Sequence, residues 1–152
     1  KDGIELMPAT TFLDDLLPSA GHVCGPKPAK RLSEDAAFGF KIAKEMSRLD
    51  IGQTVIIKKG TVLAVEAFEG TNEAIKRGGG LGRGEAVVVK VSKPGQDLRF
   101  DVPCIGPDTI EIAAASSVSA IVVEANKTLL LGKDQIEESA EKNKVTVIAY
   151  EE

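Results

Sequence analysis

The chain has 152 residues, 43% of them hydrophobic and 28% charged, which is enough for one sizeable core. A net charge of -4 argues against a protein devoted to gripping nucleic acid, which needs a basic face. No apolar run approaches the roughly twenty residues of a transmembrane span. Cys24 and Cys104 sit in no metal-ligand or disulfide-framework spacing, so a reducing, cytoplasmic setting is expected.

In chain order, residues 1–32 differ from the rest. "IELM" reads as a short strand, "TTFLDDLL" as a short helix and "PSAGHVCGPKPAK" as a turn-rich linker. A boundary is therefore expected after residue 32, with 33–152 as the main domain. Because the chain starts without methionine, it is expected to be a piece of a longer protein. Ser33 reads as a helix cap followed by the acids Glu34 and Asp35, and Ala37, Phe40, Ile42, Ala43 and Met46 recur at helical spacing to about Leu49. "TVIIKKGTVLAVEA" reads as a hairpin, Thr71 as the cap of a short helix "NEAIKR", and "AVVVKV" as a buried strand.

After Pro107, suited to an early helix position, the pattern returns: "AIVVEANKTLLLG" as a second hairpin, "KDQIEESAEKN" as a helix and "VTVIAY" as a last strand. The expected fold class is α/β, a mixed sheet with packed helices, built from two hairpin-helix-strand units. Ligands of open α/β sheets sit at the carboxyl ends of strands, where "KPGQDLRFDVP", residues 93–103, falls.

Several tempting features have plainer explanations. "KRGGGLGRG" follows a helix and precedes a strand, the reverse of a phosphate-cradling loop, so it reads as a flexible connector. His22 is the lone histidine and reads as a linker residue; Cys104 reads as a small buried filler. Two stretches hold more chemistry. In "VEAFEGTNE", Glu66 ends a buried strand, where an acid is costly unless paired or liganded, and Glu69, Gly70 and Thr71 turn into a helix start that favours anions. In "KPGQDLRFDVP", cations suited to phosphate oxygens and carboxylates suited to a metal stand together.

"RLDIGQTVIIKKGTVLAVEAFEGTNEAIKRGG", "VVVKVSKPGQDLRFDVPCIGPDTIE" and "VVEANKTLLL" resemble, in order and spacing, the carboxy-terminal domain of the UDP-2,3-diacylglucosamine pyrophosphatases of the LpxI type, from about Ser33 to Ala149. The resemblance implies hydrolysis of UDP-2,3-diacylglucosamine to UMP and 2,3-diacylglucosamine 1-phosphate in lipid A biosynthesis. It also implies a divalent cation, normally Mg2+, and as partner an amino-terminal domain of which residues 1–32 are the tail plus linker. Carried onto this chain, it implies Asp101 as metal ligand or water-activating group and Asp97 as a second catalytic carboxylate. Gln96, Arg99, Lys90, Lys93 and Thr71 become substrate contacts, and Glu66 and Glu69 further metal ligands. Peripheral contact with the inner membrane and a homodimer are expected as well. A non-catalytic nucleotide-sugar or lipid-binding module and an assembly domain are the competing readings.

Overall fold

The computed structural model describes residues 3–97 and 99–152; Leu98, within the charged connector, lies outside the described residues. A six-stranded mixed sheet runs in the order β1-β8-β6-β4-β2-β3. Its centre is parallel: β4 (Ala86–Lys90) pairs with β6 (Val118–Glu124), and β6 with β8 (Thr146–Tyr150). β2 (Thr54–Lys58) is antiparallel to both β4 and β3 (Thr61–Val65), and β1 (Gly21–Cys24) is antiparallel to β8. The carboxyl ends of β3, β4, β6 and β8 therefore share one edge of the sheet with the start of β2.

Strand alternation divides the core between two faces. Val55, Ile57, Val87, Val89, Ala120 and Val122 pack beneath Leu32, Ala36, Phe40 and Ala43 of α1 (Lys30–Arg48). Ile56, Val88, Ile121 and Val147 face the opposite way, onto Ile75 of α2 (Thr71–Gly82), Ile110 of α3 (Pro107–Ala115) and Ile136 of α4 (Lys133–Asn143). Coverage of both faces explains the continuous apolar run of β4, which is buried throughout. The expected α/β class and mixed sheet are what the chain adopts.

Several local expectations need correction. Ser33 does not cap α1: the helix starts a turn earlier because Leu32 extends the buried stripe, and the Ser33 hydroxyl donates back to the Lys30 carbonyl. The division after residue 32 thus falls inside α1, and the stretch read as linker supplies β1. "IELM" carries no strand, and "TTFLDDLL" yields only a 3-10 turn over Asp14–Leu16. The second hairpin does not close, because both edges of β6 are already paired. Instead β7 (Leu129–Leu130) forms a separate two-stranded parallel sheet with β5 (Cys104–Ile105). Cys104, expected to be buried, is exposed; Cys24 is the buried cysteine, with its thiol pushed up to about 11 by burial and then by Glu137 and Glu141.

The glycine run also departs from expectation, since α2 continues through it as helix. Its glycines serve contact rather than flexibility. A Cβ on Gly78 would stand 2.5 Å from the Ile56 Cβ, and one on Gly79 would stand 2.2 Å from the Ser116 carbonyl oxygen, whereas one on Gly80 would meet nothing within 4 Å. Only the bare backbone lets α2 sit this close to the sheet and to α3. Gly78→Ala should therefore lower stability by about 1–3 kcal/mol through overpacking, while Gly80→Ala should be neutral or raise it by up to about 1 kcal/mol through helix propensity. Urea melts of the two variants provide the check, and equal effects would count against close packing as the reason for the run.

Candidate functional site

The end of β3, the start of α2 and the end of β4 meet at the carboxyl edge of the sheet. Glu66 follows β3 and is only 8% exposed; its Oε1 accepts a hydrogen bond of 2.8 Å from the Thr71 hydroxyl. Thr71 is the first residue of α2, after Gly70 in the capping position, so its side chain is free to bridge rather than cap. The same hydroxyl oxygen accepts at 2.9 Å from the ammonium of Lys90, the last residue of β4, 9% exposed. Lysine, threonine and glutamate thus form one hydrogen-bonded chain. Space for it is made by Gly52, where a Cβ would stand 2.0 Å from the Glu66 carbonyl oxygen.

A second chain begins three residues beyond Lys90. The Lys93 backbone N–H donates to Gln96 Oε1 at 2.8 Å, and Gln96 Nε2 donates to Asp101 Oδ2 at 2.6 Å. Lys93 itself pairs with Asp50, and the carboxylates of Asp50, then Asp101 and Glu66, hold its ammonium above the ordinary value. Its charge is therefore felt at both motifs.

The remaining expected site residues are engaged elsewhere. Asp97 and Arg99 close on each other through bonds of 2.8 and 2.6 Å, and Arg99 holds the Asp97 carboxyl down at about 2. The guanidinium also lies 5.4 Å from the centre of the Phe100 ring. Glu69 accepts from Arg77 of α2 and from the Ala67 N–H; these bonds, Arg77's first, lower its carboxyl.

Among the described residues, no three His, Cys, Asp or Glu side chains gather as a metal cage. The sparser arrangement of Mg2+, one or two carboxylates with substrate phosphate oxygens and waters, is the one these residues fit. Glu66 Oε2 is buried with no hydrogen-bond partner, and Asp101 uses only Oδ2 in the bonds described.

Sequence reading missed the group that fixes the loop. Glu124 ends β6 and is 4% exposed, and it accepts from the Ser92 N–H at 2.8 Å, the Ser92 hydroxyl at 2.7 Å, Lys44 at 2.6 Å and Lys127 at 2.8 Å. Burial alone would raise this carboxyl, but the bonds from Lys127, Lys44 and Ser92 outweigh it and bring it to about 2. Also missed were Ile51, Phe68 and Phe100, exposed apolar side chains on the segments that carry the polar groups. The sequence signal was available in both cases: an acid closing a mostly apolar strand, and large apolar residues inside charged loops.

A family profile described as "LpxI C-terminal domain" matches residues 19–148. This chain belongs to the LpxI C-terminal domain family. A curated relative, the "UDP-2,3-diacylglucosamine pyrophosphatase LpxI" of Caulobacter vibrioides, is 35% identical over 144 residues, which cover 90% of this chain and 51% of the relative. The chain thus spans about half the length of that relative. The LpxI C-terminal domain match begins at residue 19, before β1, in agreement with the place of that strand in the sheet.

The Glu124 network gives a test by pH. A carboxyl lowered on folding contributes stability that is present above its unfolded value, near 4.5, and is lost as pH falls toward 2. Glu124→Gln should cost about 2 kcal/mol or more at pH 7, since Lys44, Lys127 and the Ser92 donors lose their anionic partner. The gap between wild type and variant should then narrow from pH 5 to pH 2.5 in parallel denaturant melts. A gap independent of pH would exclude the charge as its source.

Proposed function

We propose that this chain is the carboxy-terminal part of an enzyme that hydrolyses the pyrophosphate of UDP-2,3-diacylglucosamine, releasing UMP and 2,3-diacylglucosamine 1-phosphate for lipid A biosynthesis. The observation that supports the reading is that the Lys90–Thr71–Glu66 chain and the Lys93–Gln96–Asp101 chain both stand where β3 and β4 end, at one edge of the sheet. The name of the Caulobacter vibrioides relative supplies the reaction class.

Hydrolysis of a phosphoric anhydride gathers charge on the leaving phosphate, so the site must neutralise oxygens and orient one water. Lys90 and Lys93 supply point charges at the sheet edge. Thr71 accepts from Lys90 and fixes where that ammonium stands. Gln96 holds one oxygen of Asp101, leaving the other to orient the attacking water and receive its proton. As that water's oxygen bonds to phosphorus, the bridging P–O bond breaks and its electron pair leaves with the departing phosphate. A Mg2+ ion would be held by Glu66, whose Oε2 has no hydrogen-bond partner, with substrate oxygens, and would neutralise charge on the phosphates. Arg99 bonds Asp97 through Nε and Nη2, so its Nη1 would donate to a phosphate oxygen while Asp97 holds the guanidinium in place. Phe68 and Phe100 would offer apolar surface to acyl chains.

Under the same reading, an amino-terminal domain completes the cleft, the enzyme works in the cytoplasm at the inner membrane surface, and the sheet edges β1 and β3 are available to a homodimer. Among the described residues, no helix is long and apolar enough to cross a membrane.

In the complete two-domain enzyme, Asp101→Ala should lower kcat by about a hundredfold to ten thousandfold, as expected for loss of a general base. Its melting temperature should stay within about 2 °C of the wild type, since this side chain sits in an exposed loop rather than in the core. Turnover and melting are to be measured on one sample; near-normal turnover with a lowered melting temperature would make Asp101 a structural residue. This chain alone should be nearly inactive, because much of the rate comes from positioning both ends of a large substrate. Full activity of residues 1–152 in a Mg2+-supplemented assay would contradict the two-domain cleft.

A further inference from the structure

A cavity of about 340 Å³ opens at the opposite, amino-terminal edge of the sheet, where β4, β6 and β8 begin and contribute Val87, Ser119 and Thr146 to its lining. Val87 is three residues before Lys90, so the cavity is at least about 10 Å from the candidate site along β4. Its lining holds four cations, Lys27, Arg31, Lys59 and Lys144, against the two carboxylates of Asp35 and Glu85. This local excess is positive in a chain of net charge -4.

Both carboxylates are already committed. Asp35 is buried and accepts from the backbone N–H groups of Lys59 and Gly60 at 3.1 and 2.8 Å, which ties α1 to the β2–β3 turn. Glu85 pairs with Lys59 at 3.1 Å. Lys27, Arg31 and Lys144 are left without an ion pair among the described residues. These three come from separate segments: the approach to α1, its first turn, and the residue that ends α4. Like charges brought together by distant parts of a chain repel one another unless an anion stands between them.

The chemistry of the cavity narrows the anion. The Ser119 and Thr146 hydroxyls donate to the carbonyls of Ala86 and Pro26, so recognition falls on the cations. The floor is apolar, formed by Leu32, Val87 and Ala120, all buried. Leu32 and Ala29 also line an adjoining groove of about 420 Å³ that runs past Ile148 and Tyr150.

We propose that this cavity is a second ligand site, distinct from the hydrolytic edge, that binds a phosphate monoester through Lys27, Arg31 and Lys144. Arg31 supplies the planar fork suited to phosphate oxygens, and the lysines supply point charges. The site does not depend on the hydrolase reading. The phosphate has two sources, a free ion or the head of an alkyl chain that continues into the adjoining groove.

Titration of the isotopically labelled protein at low salt, followed by amide NMR shifts, separates them with inorganic phosphate in one arm and n-octyl phosphate in the other. Saturable shifts are expected at residues 29–33, 86–87, 119–120 and 144–146, with half-saturation below about 5 mM in at least one arm. Tenfold tighter binding of octyl phosphate assigns the groove to the chain, and equal binding assigns the site to the free ion. The double substitution Arg31→Gln with Lys144→Gln should weaken binding at least tenfold, and both side chains are exposed, so the fold should persist. Lys27→Gln, in a segment outside both helices, should weaken it as well. Absence of saturation in both arms, affinity unchanged in the variants, or shifts confined to residues 90–101 would each overturn the proposal.

Discussion

The buried carboxylate of Glu124 is the constraint on which the charged edge depends. It closes an apolar strand and would be too costly there without partners, and it finds them on three other segments: Lys44 of α1, Ser92 at the root of the loop and Lys127 after its own strand. The loop from residue 93 to 103 is thereby fixed where it leaves β4. Its far end is fixed differently, by main-chain pairing: β5 joins β7, and the Leu129 N–H donates to the Pro103 carbonyl at 2.9 Å. Between the two held ends, Gln96 donates to Asp101 at 2.6 Å.

Parallel pairing of β4, β6 and β8 explains why these groups meet at all. Parallel strands deliver their carboxyl ends to the same edge, and each brings a different polar residue there: Lys90 from β4, Glu124 from β6. The antiparallel hairpin β2–β3 contributes from the other side, since β3 also points that way and hands over Glu66. The two motifs converge although the middle of β4 and the whole of α2 separate them in sequence.

How much of this could be read from the chain depended on whether the cause was local. The first hairpin, β4, α4 and β8 were legible because alternation and helical spacing are properties of neighbouring residues. The edge position of the two charged stretches was legible for the same reason, each coming directly after a strand. The second hairpin was misread because β7 looks like a strand, yet whether it pairs with β6 depends on β4 and β8 having filled both edges first. β1 was missed because glycine and proline around "HVC" outweigh three residues whose strand character comes from β8. At the site, the partners of Thr71 and Glu69 turned on which neighbour arrives within reach, and residue type does not disclose that.

The close seating of α2 bears on how the edge is assembled. Four of its twelve residues are glycine, which leaves the isolated segment about 4 kcal/mol poorer in helix propensity than an alanine equivalent. Such a segment gains its helical form from the surface beneath it, so it orders together with Ile56 and Ser116 rather than ahead of them. Thr71 stands at its first turn, and its hydroxyl links Lys90 to Glu66. The lysine and the glutamate therefore become connected in the same cooperative event that consolidates the core. Partly folded forms of this chain would lack the connection, which makes an intact Lys90–Glu66 link a marker of complete folding and ties the chemistry of the edge to the integrity of the whole domain.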